Sequence, residues 1–507
     1  MNSTAQTADE TQRDTWTLSC ALAVGFALLS LLRAQVADLQ GDETWTRLLV
    51  RLPLSDSFPF VVRDGKHPPL YPAVQMILGT MLPDSAIGLR LPSIIAAALV
   101  PAFVFSYARR WGAPSIPAAI LALWVGSHPI LLTQGVNARS YAILALVVLV
   151  HGGALVDYLA TGRRRSLVLS SVCGAIAVMM HAFGVLFVGA ATAAGLGWCA
   201  IAAPSVPTIR WKHIVLSVLP AAALFCGWYG FVALSLRETT GMAAGLEWVD
   251  APTMQDRVYT LGTLLGSADI ARSTRTTLLL WAMLVVGLAV ASRHQKTLAL
   301  GIGLVTLAAF TPFIAQNLAS GILVNKPLWG NRHVAPTAGL LALGFALSLR
   351  RDLLPRWWPG VLSVALVVLS CVSLSTMGQW RRTMLSDLAS HLKALPGSTA
   401  VRVTYAYGDL NVLNFYLDRG CVDDFQLRVQ FPDVRGPANP STRSIHCVAK
   451  PVSAAVPDDQ QRLIVVHRSF VKAEVQARDS LLARGWTPQY QFRSAAEFLV
   501  ADVVARH

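Results

Sequence analysis

The chain has 507 residues, 54% of them hydrophobic and 14% charged, with a mean hydropathy of +0.50. That balance excludes an ordinary soluble globule, a disordered chain, collagen and a disulfide-rich miniprotein, and implies a polytopic α-helical membrane protein. Forty-two Lys and Arg against 28 Asp and Glu leave a formal charge of +14, but the basic residues mostly occupy short segments between apolar runs, where they set membrane orientation rather than bind nucleic acid.

A helix needs roughly 20 apolar residues to cross hydrocarbon. In chain order such runs lie near residues 16–34, 88–108, 114–131, 141–160, 167–181, 183–203, 214–235, 274–291, 298–315, 335–349 and 359–377, which predicts about eleven spans. The segments 109–113, 161–166, 204–213, 292–297 and 350–358 hold 12 Lys or Arg in 36 residues. The opposite set, 35–87, 132–140, 236–273 and 316–334, holds 10 in 119. The asymmetry puts residues 1–15 in the cytoplasm and everything after about residue 378 outside. The leader before the first run carries only Arg13 against three acids, so this run reads as an uncleaved anchor rather than a signal peptide.

From about residue 385 the composition becomes that of a soluble domain, with strand-like segments at 399–405 and 463–467 and helix-like stretches between and after them. Residues 385–507 are therefore expected to form a small extracytoplasmic α/β domain. Cys421 and Cys447 share that domain, where an oxidising compartment would allow a disulfide; two unpaired thiols are the alternative. Asn-x-Ser/Thr occurs only at Asn2, on the inner side, which favours a bacterial envelope protein.

The first outer loop, residues 35–87, is longer than most connections without a purpose. It holds Gly41-Asp42-Glu43 and the run Asp64-Gly65-Lys66-His67-Pro68-Pro69-Leu70-Tyr71. On a helix, adjacent Asp42 and Glu43 diverge by about 100°, so one can face a site while the other supports it; both could equally cap an interfacial helix. Pro68 holds His67 in extended geometry, and Lys66 could meet an anionic headgroup or simply snorkel. Arg139, beside Tyr141 at the outer end of two spans, could grip a phosphate through paired donors or anchor the topology. His181 lies in the outer turn between two runs, and Arg332 with His333 just before a late one, positions where packing is the alternative to chemistry. All of these map to one side of the membrane. Transfer from a phosphate-linked lipid requires such a set: a carboxylate to take a proton and cations to stabilise a departing phosphate.

Gly41-Asp42-Glu43, the His-Pro-Pro-Leu-Tyr run from His67, Gly88-Leu89-Arg90-Leu91-Pro92-Ser93, Ala138-Arg139-Ser140-Tyr141, His181 and Arg332 resemble, in this order, the integral-membrane C-type glycosyltransferases. The similarity is to the branch of protein O-mannosyltransferases and lipid A aminoarabinose transferases, the family 39-like glycosyltransferases, and covers residues 16–380. The resemblance implies inverting transfer of a sugar from a polyprenyl-phosphate donor to an envelope lipid, glycan or protein at the outer face of a bacterial inner membrane. Asp42 would be the base and Glu43 its support; Lys66 and Arg139 would hold the donor phosphate. His67, Tyr71, Tyr141, His181 and Arg332 would line the pocket. Asn137 stands where many relatives carry an acid, and His333 where an Arg-Tyr pair is common, which puts sugar and acceptor in doubt. Some relatives bind a divalent metal, and Asp42, Glu43, His67 and His181 are suitable ligand types, but their spacing matches no metal motif and none is assigned. A transporter or flippase of a lipid-linked or anionic substrate is the main alternative; a non-catalytic envelope scaffold is the third.

Overall fold

The computed structural model describes residues 2–37, 41–64, 67–83, 85–202, 211–235, 335–349 and 357–375, five C-terminal strands, and isolated positions at 262, 264, 303, 306, 307, 309, 310, 333, 479 and 483. By its contacts the chain divides into two compact units, Met1–Leu32 with Leu48–Met377, and Arg33–Arg47 with Gly378–His507.

The helices run α1 (Asn2–Val36), α2 (Gly41–Arg51), α3 (Leu54–Asp64), α4 (Leu70–Gly79), α5 (Ala86–Arg110), α6 (Ser115–Gly126), α7 (Pro129–Gly135), α8 (Tyr141–Thr161), α9 (Arg164–Met180), α10 (Gly184–Ala202), α11 (Trp211–Ser235), α12 (Ala335–Ser348) and α13 (Trp358–Ser375). Nine of the eleven expected apolar runs fall on these helices; 274–291 and 298–315 lie outside the described residues apart from single positions. Among the described residues, four helices are long and apolar enough to cross a membrane, and α6 with α7 would make a fifth. The first outer loop carries three short helices, α2 to α4.

The run at 114–131, expected as one span, is instead broken: α6 and α7 meet at 58°. Pro129 opens α7 and has no N–H to continue the ladder. A break inside hydrocarbon must have its freed carbonyls satisfied. Ser373 Oγ of α13 donates to the Ser127 carbonyl, and His128 Nε2 donates to the Leu264 carbonyl at 3.1 Å.

Helices α5 and α8 are central, while α1 and α11 show most of their surface outward. Lipid tails are as apolar as Leu, so helices associate here through close packing rather than escape from water. Helix α12 is buried along its whole length, and its Ala338, Ala342 and Ala346 recur every fourth residue, as close helix approach favours. Gly339 packs on Leu149, Gly152 on Leu340, and Gly153 on the Tyr107 ring. At the far end of α8, Gly162 takes the left-handed conformation that ends a helix, with φ 68°.

Near that end the buried Asp157 accepts from Trp111 Nε1 at 2.8 Å and pairs with Arg110 at 3.0 Å. Asp157→Ala is expected to destabilise the helical unit by about 1–3 kcal/mol by leaving the buried indole N–H unpaired. Arg110, whose side chain is 54% exposed, adds little because solvent screens it. Thermal unfolding of the purified protein checks this; an unchanged transition would show that the indole finds another partner.

In the C-terminal region, β1 (Arg402–Thr404), β2 (His446–Val448), β3 (Arg462–Arg468), β4 (Trp486–Arg493) and β5 (Leu499–Arg506) form one sheet in the order β2-β1-β3-β5-β4. Strand β1 lies parallel to β2 and β3, and β5 antiparallel to β3 and β4. The parallel pairs require crossover connections. Strands β1 and β3 coincide with the two expected from the sequence. The helix-like stretches expected between and after them lie mostly outside the described residues. A helical turn does occur at Asp479, whose carbonyl accepts from Ala483 N–H, but 486–493 and 499–506 are strands. Leu499–Arg506 holds three valines and a leucine, which suit a strand, and it pairs residue for residue with β3. Pro488 is tolerated because β4 is an edge strand with an irregular register at that point. Cys421 lies outside the described residues, so the expected disulfide does too.

Candidate active site at one end of the helices

Four chain segments meet at one end of the helical unit. The first is His67-Pro68-Pro69, entering α4; Pro69 at the helix boundary has φ −75°, and two consecutive prolines fix the direction in which His67 leaves the backbone. The second is the turn from α7 to α8, where Arg139 N–H donates to the Asn137 carbonyl at 2.7 Å and Ser93 Oγ of α5 donates to the Arg139 carbonyl at 3.0 Å. The third is the turn from α9 to α10. There Gly184 N–H donates to the His181 carbonyl at 2.8 Å and Phe183 N–H to His181 Nδ1 at 3.1 Å. The fourth is His333, just before α12.

Their side chains form one cluster. Arg139 donates from its terminal nitrogen to His67 Nε2 at 2.7 Å. The His67 ring meets His181 edge-on at 6.3 Å between centroids, and His181 lies 5.2 Å from Tyr141 and 5.6 Å from His333. Phe183 stacks on His181 at 5.3 Å and contacts His333 at 4.5 Å; Tyr141 and His333 are 5.6 Å apart. Arg139, Tyr141 and His181 are buried, with His67, Phe183 and His333 half-buried over them.

The hydrogen bonds fix the chemistry of two imidazoles. A guanidinium only donates, so His67 accepts at Nε2 and carries its proton on Nδ1. His181 accepts a backbone N–H at Nδ1, so its proton is on Nε2. His181 therefore presents a donor and His67 an acceptor, and neither neutral ring is poised to take a proton through the nitrogen described. The cluster is suited to holding an anionic oxygen, with Arg139 as its fixed cation.

A close approach holds the His181 turn. A Cβ added to Gly184 would collide with the Ala177 carbonyl, so Gly184→Ala must open the turn, at a cost of about 1–3 kcal/mol. Thermal unfolding should show that loss; a native-like transition would mean that the turn has slack.

An apolar groove of about 520 Å³ begins beside this cluster, lined by Pro69 and Leu70 of the α4 entry, Val172 and Met179 of α9, and Pro220 and Leu224 of α11. Pro69 and Met179 are each two residues from a cluster imidazole. The groove then runs along α9 toward Ser171, a distance of about 12 Å at helical rise.

Of the residues named from sequence, the structure brings together His67, Arg139, Tyr141 and His181. Tyr71 is buried in the first turn of α4, where its hydroxyl accepts from Gln75 Nε2 at 2.9 Å. Asp42 and Glu43 lie in the first turn of α2 and belong to the other compact unit; Glu43 is fully buried, and the Asp42 side chain is outside the described ones. Lys66 and Arg332 also lie outside the described residues. Sequence reasoning missed Phe183 and Ser93, and weighed His333 between packing and chemistry without giving it a role in the site. Among the described residues no group of three His, Cys, Asp or Glu comes together to hold a metal.

No protein-family model matches the chain, and no curated protein sequence does. Two solved structures of ArnT from Cupriavidus metallidurans match it in fold. One, bound to undecaprenyl phosphate, is 14% identical with a TM-score of 0.52, covering 96% of this chain and 97% of that one. The other, in the apo state, is 15% identical with a TM-score of 0.53, covering 96% and 98%. At that identity the likeness is one of fold, and it extends over nearly the whole chain.

Proposed function

We propose that the chain is a polyprenyl-phosphate-sugar-dependent glycosyltransferase. The observation that carries this reading is the buried Arg139 in a ring of imidazoles and aromatics, together with an apolar groove whose lining residues Pro69 and Met179 are each two positions from an imidazole of that ring: a fixed cation and a slot for a hydrocarbon tail match a lipid phosphate. The fold supports it, since the ArnT of similar fold was solved with undecaprenyl phosphate bound.

In this reading about eleven spans, with the N-terminus cytoplasmic, place the cluster at the outer face of a bacterial inner membrane. Residues 16–380 form the transferase domain, and 385–507 a small extracytoplasmic α/β domain that guides or covers the acceptor or serves as a structural cap. Asp42 removes the proton from the acceptor nucleophile as it attacks the anomeric carbon, with inversion; Glu43 supports it. The bond from that carbon to the phosphate oxygen breaks, and polyprenyl phosphate departs with its charge held by Arg139 and Lys66. His181 donates from Nε2 to substrate oxygen, and Tyr71, Tyr141 and Arg332 shape the pocket. The acceptor is an envelope lipid, glycan or protein.

A transporter or flippase is the second reading, favoured by the broken α6–α7 span, since transporters bind substrate at such breaks. Here the Ser127 carbonyl freed by the break is capped by Ser373. The test is to supply labelled polyprenyl-phosphate sugars and an envelope extract to membranes with and without the chain. Chain-dependent release of free polyprenyl phosphate is expected. Movement of intact donor across the bilayer without release would favour the transporter.

A further inference from the structure

Arg139 is only 7% exposed, and a buried guanidinium keeps one direction only if its backbone and its head are both held. Ser93 Oγ holds the backbone through the Arg139 carbonyl. His67 Nε2 holds the head at 2.7 Å, and Pro68 and Pro69 restrict the segment that presents it. The identity of this acceptor matters. A carboxylate there would orient the guanidinium as well, but the contact would cancel its charge. A neutral imidazole lone pair orients it while this contact subtracts no charge.

We propose that His67 is a positioning residue: a neutral hydrogen-bond acceptor, protonated at Nδ1, that aims Arg139 at an anionic oxygen of the substrate without neutralising it. The substrate part of the proposal rests on the reading of Arg139 as the donor-phosphate ligand. His67 itself acts through Arg139 and not on the reacting atoms. Acceptor strength and charge at this position should therefore have separable effects.

The test uses the full chain in lipid nanodiscs, comparing His67→Gln, His67→Glu and His67→Phe for turnover and for binding of undecaprenyl phosphate. Gln offers a neutral acceptor oxygen, Glu a charged one, and Phe fills the space without accepting. His67→Gln should recover affinity to within about threefold of native, and both other variants should weaken it by about tenfold or more. The loss should fall on KM more than on kcat, because bound phosphate is what Arg139 holds. Equal losses in all three that track thermal stability would overturn the proposal, as would a His67→Glu variant that binds as the native chain does. A second readout is independent of any ligand. In ¹⁵N-histidine spectra, the signal lost in His67→Gln should be a neutral ring protonated at Nδ1, and it should shift in Arg139→Gln. A doubly protonated ring, or a proton on Nε2, would overturn the contact itself. The expected tautomer in a native chain that binds no undecaprenyl phosphate would uphold the contact and overturn the donor reading.

Discussion

Asp42→Asn is expected to abolish release of free polyprenyl phosphate from lipid-linked sugars, a loss of about 10²–10⁴-fold if the carboxylate is the general base. Asparagine keeps the size of aspartate, but it replaces one acceptor oxygen with an NH2 donor and cannot take a proton. Position sets Asp42 apart: both acids lie in the first turn of α2, where helix geometry separates their side chains by about 100°. Glu43 is fully buried, and a buried carboxylate is more apt to brace a site than to exchange protons with an arriving substrate. Glu43→Gln should therefore cost stability first and turnover less. The comparison needs equal abundance of each variant in the membrane and a matched thermal transition for Asp42→Asn. Release that survives Asp42→Asn would keep an enzyme but move its base elsewhere; a larger loss in Glu43→Gln would exchange the two roles.

Arg139→Lys should lower kcat/KM by about 10²–10³-fold, the range for removing one preorganised donor from a developing oxyanion. Lysine preserves the charge, but its ammonium is a point donor on a flexible stem, and it cannot satisfy His67 Nε2 and a phosphate oxygen in one rigid plane as the guanidinium does. Since Arg139 is buried, the effect should change little with ionic strength, unlike that of a surface cation. Binding of undecaprenyl phosphate and turnover, measured at two salt concentrations, check both points. Native-like turnover in Arg139→Lys would assign the phosphate to another cation, with Lys66 and Arg332 the first alternatives.

The apolar runs were legible because a hydrocarbon solvent demands unbroken stretches of apolar side chains. Four members of the cluster, His67, Arg139, Tyr141 and His181, are legible because they lie at the ends of such runs and in segments that resemble the C-type glycosyltransferases. The break at Pro129 was not read, although His128-Pro129 is a plain signal, because one proline hardly changes the hydropathy of an 18-residue stretch. His333 and Phe183 meet across 150 positions, and no local pattern encodes such a contact. Ser93 was quoted within a motif, but its bond to the Arg139 carbonyl depends on how α5 packs beside the α7–α8 turn. The pairing of β4 and β5 with each other and with β3 is likewise set between distant segments, although the three valines of Leu499–Arg506 already suit a strand.

The groove along α9 opens sideways through Val172 and Leu224, which are 50% and 44% exposed. A substrate whose tail seats there never has to leave the hydrocarbon. Its effective concentration is then a mole fraction in a two-dimensional phase. Adding inert phospholipid at a fixed amount of donor should slow turnover by surface dilution, whereas spreading the same vesicles through more buffer should not.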